Sequence, residues 1–423
     1  MNKKKLITAS GIANTFEWYD YALFGNFASL IGTKFFPDTD TKISMLNALL
    51  VFAAGYLMRP LGGIVFGVIG DRFGRKFALS SSILCMSLPT AIIGILPTYD
   101  TIGSYASYLM IFMRMLQGLS MGGALTGSIS FLIEHSDKKN RGVIGSIPMA
   151  GICIGILLGT IMSYIVRENL SEESFDTWGW RMPFIIGIFI MFAGLYIKKY
   201  TEETPLFTQL EKKGEIIESP LRYVFRYHSF DMLVSVMINS TGSVLFYFQA
   251  IYLSNFLKNT REFSEGAVDK LNAVCYVIMA LACCLSGKIS DLIGRKKLYV
   301  FIISLSLISI STITNNIEVG SFEVVVLFQI LLAIIAASYI GAEPALQAEL
   351  YPTAIRSTAL SVSYNLATSI FGGTTPYIIA YLYNTYGSLN GCSYYVIATS
   401  FMSLIGLYFY KTRYLTKISI EVS

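Results

Sequence analysis

Deep inside apolar runs in the first half of this 423-residue chain stand four charged side chains: Glu17 and Asp20 in the first run, Arg59 in the second and Arg114 in the fourth. A charge at membrane depth costs at least about 3 kcal/mol, so such groups face a protein interior or a water-filled cavity. Three residues apart, the two acids share one face of a helix. Burial favours the neutral form of a carboxyl, and a nearby cation favours the charged form. A carboxyl balanced between the two can take up a proton facing one compartment and release it facing the other. The chemistry expected of Asp20 and Glu17 is therefore proton coupling, with Arg59 and Arg114 as their cations. Depth, reckoned at about 1.5 Å per helical residue, puts Arg59 nearer Asp20 than Arg114 is.

The elements that must position these groups are long. Apolar stretches of spanning length, roughly 20 residues each, fall near 12–36, 45–69, 77–97, 105–133, 142–166, 182–198, 230–257, 268–290, 297–315, 321–346, 357–383 and 391–411. Open sheet cannot satisfy its backbone in lipid, so all twelve are expected as helices of an all-α integral membrane protein. Composition agrees: 54% of residues are hydrophobic and 14% charged, where soluble domains average about 25% charged. The net charge of +5 is spread over short loops, which is not a nucleic-acid footprint. The six cysteines lie in apolar runs, with neither metal spacing nor a disulfide framework.

Lysine and arginine give the orientation. With the N-terminus inside, the inner loops carry 23 of them and the outer loops 7. Both termini are thus expected in the cytoplasm, and the chain in the cell inner membrane. MNKKK before an apolar run imitates a signal peptide, but the run carries two acids and no small-residue cleavage site, so it is expected as an uncleaved first span. The only long polar connection splits the spans six and six. The expected organisation is a six-helix half over 1–197, a cytoplasmic linker over 198–229 with a helix on the membrane surface, and a second half over 230–423.

The halves repeat. Gly67, Asp71, Gly74, Arg75 and Lys76 recur 220 residues later as Gly287, Asp291, Gly294, Arg295 and Lys296. Glu134 and Arg141 recur 215 residues later as Glu349 and Arg356. Parallel six-helix repeats bracket a midplane site in a large class of secondary transporters. In each loop the glycines permit a tight reversal and the aspartate can cap a helix start. The cations hold the loop inside and can pair with acids of a neighbouring helix. Both sets are expected to gate the cytoplasmic side.

The repeated loop resembles the signature of the major facilitator superfamily. FEWYDY at 16–21, RPLGG at 59–63, RMLQGLSMGG at 114–123, WGWRMPF at 178–184, EETPLF at 202–207 and ELYPTAIR at 349–356 resemble its metabolite:proton symporter family, nearest the proline/glycine-betaine branch. The resemblance covers nearly the whole chain and is tighter in the first half. It implies two pseudo-symmetric halves around a central cavity lined by the first, fourth, seventh and tenth spans. It also implies alternating access with proton symport of a small polar solute of the proline or betaine type. In the superfamily an acid of the first helix meets an arginine of the fourth, which makes Arg114 the partner of Asp20; both arginines therefore stand open. Two departures matter. The family's glutamate after the paired glycines is Ala124 here. The chain stops at Ser423, soon after the last span, so regulation by a coiled-coil tail is expected to be absent.

Gln117, one turn from Arg114, is a candidate donor to substrate. Tyr21, with Trp18 and Tyr19, could wall a quaternary ammonium. Asn239, Gln249, Gln329, Glu343 and Asn365 are polar residues in apolar runs of the second half. Glu343 precedes Pro344, which disfavours regular helix there, so local unwinding is expected. The repeat places it opposite Ser128, a turn past Ala124. There it could take over charge balance with Arg114 or a cationic substrate; the alternative is a pair with a loop cation. A di- or tricarboxylate carrier, with Arg59 and Arg114 as clamps, is the second functional reading, and a non-transporting membrane sensor the third. An enzyme is not expected, because the two histidines, His135 and His228, both lie at cytoplasmic ends, no nucleophile–base constellation is visible and no phosphate-binding glycine loop occurs. The expected partners are a small solute, a proton and membrane lipid, for a monomer without cofactor, metal or nucleic acid.

Overall fold

A computed structural model describes residues 3–38 and 41–421. The described residues form helices joined by turns and short loops, without strand. The chain divides into two compact units, Met1–His135 with Gly151–Pro220, and Ser136–Ala150 with Leu221–Ser423.

The first unit opens with α1 (Lys3–Asn26) and α2 (Ala28–Phe35), which meet at Phe27. α3 (Thr41–Leu57) and α4 (Arg59–Phe73) form the second span and α5 (Arg75–Ile95) the third. The short α6 (Tyr99–Ile102) leads into α7 (Ser104–Glu134), the fourth. The fifth is α8 (Arg141–Asn169), whose residues 141–150 group with the second unit. After α9 (Glu172–Ser174) and a π-turn, α10 (Arg181–Ile186) and α11 (Phe189–Tyr200) make the sixth. The polar connection folds into two short helices, α12 (Pro205–Lys213) and α13 (Pro220–Tyr227).

The second unit continues with α14 (Ser229–Tyr247), a π-turn over Phe248–Tyr252, and α15 (Leu253–Asn259). Then come α16 (Glu265–Ile293), α17 (Arg295–Val319) and α18 (Phe322–Glu349). α19 (Arg356–Ala367), a second π-turn and α20 (Thr375–Tyr386) precede α21 (Asn390–Glu421). Ten of the described helical stretches are long and apolar enough to cross a bilayer. The pairs α1–α2 and α19–α20 supply the other two expected spans with more polar faces. Large apolar side chains such as Leu57, Ile95, Leu292 and Ile308 lie exposed on the surface, as suits a protein whose solvent is lipid.

The expected unwinding at Glu343 does not occur: α18 runs unbroken through Pro344. A proline removes one backbone donor, and the buried turns on either side hold the helix across that single loss. Pro89 and Pro148 are likewise tolerated inside α5 and α8. At the repeated loops, only Gly74 (φ 103°) separates α4 from α5 and only Gly294 (φ 93°) separates α16 from α17. These left-handed positions let two long helices reverse within one residue.

Small residues set how close α7 lies to α3 and α4. A Cβ on Gly118 would stand 1.7 Å from the Gly55 carbonyl oxygen, and one on Gly62 1.8 Å from that of Leu119. The strings RPLGG and GLSMGG therefore bring backbone onto backbone, the packing that lipid-embedded helices use without a hydrophobic driving force. Gly118→Ala should lower the thermal unfolding temperature, at an overpacking cost of about 1–3 kcal/mol or more. Gly127→Ala, whose nearest neighbour is 3.8 Å away, should leave it unchanged in the same melting measurement.

Candidate functional site

α1 carries both acids into the interior of the first unit. Asp20 and Glu17 are 0% and 1% exposed, and Arg59 and Arg114 1% and 5%. Arg114 on α7 donates from Nη1 to Asp20 Oδ2 at 2.9 Å and to Gln117 Oε1 at 2.5 Å. Gln117 in turn donates to Thr90 Oγ1 on α5 at 2.8 Å. The guanidinium lies 3.6 Å from the centroid of the Phe24 ring. The partner of Asp20 is thus Arg114, which corrects the depth-based preference for Arg59. Rise along a helix axis measures one coordinate only; it ignores the reach of the arginine side chain and the lateral placement of α7.

Glu17 is held differently. Neither of its carboxyl oxygens accepts a hydrogen bond from a described residue. The cation whose field reaches it is Arg59, which packs 4.9 Å from the Tyr56 ring centroid. Two acids one turn apart on one helix therefore differ sharply: one is locked in an ion pair, and the other faces a cation at longer range. Asn14, a turn below Glu17, donates to Ser128 on α7 at 2.8 Å. Ala124 is buried and brings no charge to this region. Of the three aromatics, the Trp18 and Tyr21 rings meet at a tilt of 49° with centroids 5.1 Å apart, while the Tyr19 hydroxyl donates to the Pro183 carbonyl at 3.1 Å. Tyr19 is thereby turned away from any wall the other two could form.

The first repeated loop is a buried charge cluster. Arg75 pairs with Asp71 at 3.1 Å and with Glu134 at 3.2 Å, and all three side chains are shielded from solvent. It also donates to the Gly70 carbonyl at 2.8 Å; Gly67 lies a turn earlier, buried in α4. The helix start expected to be capped by Asp71 is capped instead by Glu203 of the polar connection. That carboxylate accepts from the backbone N–H of Arg75 at 3.0 Å and of Lys76 at 3.1 Å. Asp71 sits in the last turn of α4 and spends its charge on Arg75 four residues on. Thr204 donates to Glu134 at 2.6 Å, and the Phe207 ring lies 5.0 Å from the Arg75 guanidinium. The string EETPLF enters the sequence reading only as a resemblance, which assigns no role to Glu203, Thr204 or Phe207. The available signal was Thr-Pro ahead of a short helix, an N-cap followed by N1 proline.

In the second unit Asp291 does cap a helix start. It accepts the N–H groups of Gly142 and Val143 at 2.8 and 2.9 Å, close to where Gly287 meets Gly142. Arg295 bonds Asp291 at 2.6 Å and Glu349 at 3.4 Å, and Arg141 reaches Glu349 at 3.9 Å. Arg356 donates to the carbonyls of Ala348 and Tyr351 at 2.9 and 3.3 Å. Lys296 follows Arg295 in the first turn of α17.

The five candidate polar residues of the second half, Asn239, Gln249, Gln329, Glu343 and Asn365, are all buried. Asn239 accepts from Ser243 at 2.6 Å, and Gln329 donates to Asn272 at 2.9 Å. Asn365 donates to its own helix at Ser361. Gln249 lies in the π-turn that ends α14, the sort of local widening often found at functional sites. Glu343 receives one hydrogen bond, from Gln347 Nε2 at 3.3 Å. Among the described residues it pairs with no loop cation. Among the described residues no cluster of histidine, cysteine, aspartate and glutamate could hold a metal ion, and the cysteines are unpaired.

Comparison with known proteins places these features. The family model described as "Sugar (and other) transporter" matches residues 6–219, and that of the Major Facilitator Superfamily matches residues 242–420. The chain is 31% identical to the glycine betaine/proline/ectoine/pipecolic acid transporter OusA of Dickeya dadantii, over 97% of this chain and 83% of that one. It is also 31% identical to the proline/betaine transporter of Salmonella typhimurium, over 95% and 82%. Among solved structures, the proton:xylose symporter XylE superposes with a TM-score of 0.77 at 17% identity, covering 96% of this chain and 94% of that one. The human organic anion transporter MFSD10 gives 0.68 at 14% identity, over 97% and 100%. These two likenesses concern the fold.

Proposed function

We propose that this chain, which belongs to the major facilitator superfamily, takes up a small zwitterionic osmolyte of the proline or betaine type together with protons. It is a multi-pass membrane transporter and not an enzyme. The observation that carries the coupling is the buried Asp20–Arg114 pair, 2.9 Å long and relayed to Gln117 and Thr90. The likeness, over 95–97% of this chain, to transporters named for proline and betaine supports the solute class. Asp20 and Glu17 serve as the acids, Arg59 and Arg114 as their cations. When Asp20 takes a proton, its attraction for Arg114 is lost, and the freed guanidinium can meet the carboxylate of the solute. Protonation and solute binding thus favour the same rearrangement. The basic loops lie on the cytoplasmic face of the cell membrane, and the charge clusters around Arg75 and Arg295 steady that face between turnovers.

The test is uptake by proteoliposomes under an imposed inward proton gradient. Radiolabelled glycine betaine and proline should accumulate, and a protonophore should abolish the accumulation. Accumulation of 2-oxoglutarate or citrate instead, or uptake indifferent to the gradient, would overturn the reading.

A further inference from the structure

A buried carboxyl in the second unit remains outside that account. Glu343 is 1% exposed, and no cation comes within ion-pair distance of it among the described residues. Several polar groups packed around it are committed elsewhere. From α17, Tyr299 donates its hydroxyl to the Tyr339 carbonyl at 3.0 Å. From α18 itself, Tyr339 donates to the Ile238 carbonyl at 2.5 Å. From α16, Ser286 bonds the Ser338 carbonyl and Cys283 that of Ala337. α14 presents Gly242, on which a Cβ would meet Glu343 Oε2 at 3.4 Å. Arg295, at the start of α17, is engaged by Asp291 and Glu349. The hydrogen bond it receives comes from the Gln347 amide, while the Asn239 amide, a turn before Gly242 on α14, donates to no described residue. A carboxylate so placed has neither counter-ion nor the two or three donors that a buried charge needs, whereas a carboxylic acid fits.

The Gln347 amide leads away from Glu343 through a continuous polar column. Gln347 Oε1 accepts from the Ser235 hydroxyl, and its Nε2 also donates to the Ser235 carbonyl at 3.2 Å. Ser235 and Ser363 bond at 2.9 Å. Tyr351 donates to Ser363 at 3.1 Å and lies 3.4 Å from the Asp231 carbonyl. Asp231 bonds His228, at the start of α14. Packing alone would favour apolar residues at these buried positions of α14, α18 and α19. The column therefore points to a carboxyl that communicates with the cytoplasmic end of the unit.

Resting on the proton-coupled reading above, we propose that Glu343 is a second proton-binding site, housed in the second unit and served from the cytoplasmic side along the Gln347–Ser235–Ser363–Tyr351 column. One proton leaves the carboxylic acid for the aqueous phase, and the carboxylate that remains keeps the Gln347 amide as donor. Each full cycle then moves two protons, one through the Asp20 region and one through Glu343.

Two measurements test this. Infrared difference spectra of the purified full-length protein, between acidic and alkaline buffer, should show a protonated-carboxyl band that Glu343→Gln removes and Asp20→Asn retains. Glu343→Asp should keep it at a shifted frequency. Identical carboxyl bands in wild type and Glu343→Gln would overturn the proposal. In proteoliposomes with the membrane potential clamped at zero, a one-unit pH gradient should accumulate glycine betaine about 100-fold in wild type and about tenfold in Glu343→Gln, each proton contributing one factor of ten. An unchanged ratio reached at a slower rate would show a merely structural residue and also overturn it. If no solute accumulates at all, the transport reading fails, and the infrared bands still decide for or against Glu343.

Discussion

Replacing Asp20 by asparagine should lower concentrative uptake at a one-unit proton gradient by at least tenfold while leaving solute exchange across the membrane intact. Asparagine is close in shape to the protonated acid and keeps an oxygen for Arg114 Nη1, which now bonds Asp20 at 2.9 Å. What it removes is the change of charge. Arg114 would then sit permanently beside a neutral partner, as in the proton-loaded form, and the step that needs deprotonation would be lost. Exchange needs only solute binding and the swing between faces, so it should continue. Efflux, exchange and uphill uptake measured on one preparation separate these outcomes. Breaking the pair by truncation would instead leave a buried charge unpaired, at about 3–5 kcal/mol, so Asp20→Ala is the poorer test. An Asp20→Asn protein that still concentrated solute to the wild-type ratio would remove Asp20 from the coupling mechanism.

The largest effect on stability is expected at Arg75. Its guanidinium joins Asp71 at 3.1 Å and Glu134 at 3.2 Å, with all three side chains buried. Arg75→Ala leaves two carboxylates without their cation and removes the partner of the Phe207 ring. The loss of one buried charge partner costs about 3–5 kcal/mol. Arg75→Lys keeps the charge but cannot reach both acids in the fork geometry of a guanidinium, so it should fall between. Melting of the purified protein, followed by tryptophan fluorescence or loss of monodisperse material, gives the order wild type, lysine, alanine. Equal melting of all three would mean that the cluster contributes nothing to the fold. The equivalent Arg295→Ala should be milder, because its cluster is only partly shielded from solvent.

The architecture was legible because lipid imposes a length. A run of about 20 apolar residues has one stable form there, and twelve such runs, with cations on alternate loops, left little choice. The duplicated loop was legible for another reason: its glycines and charges recur at a constant spacing, which needs no knowledge of packing. The strap formed by Glu203, Thr204 and Phe207 was not legible. Its carboxylate meets backbone groups 127 and 128 residues earlier in the chain, a contact that exists only after the sixth span has returned to the same face.

The residue string by itself determined that this is a helical membrane protein, that its halves repeat, and that Glu17, Asp20, Arg59 and Arg114 bring charge into the spans of the first half. Those facts follow from local quantities: hydropathy, spacing and the cost of charge in hydrocarbon. Which arginine meets which acid was decided only in three dimensions. Backbone contact at Gly118 and Gly62 fixes where α7 lies against α3 and α4, and that position delivers Arg114 to Asp20. The fate of Glu343 was decided the same way. Its own helix, read in isolation, suggested an unwound turn at Pro344, while the tertiary structure keeps the helix whole and surrounds the carboxyl with tyrosines whose hydroxyls point elsewhere.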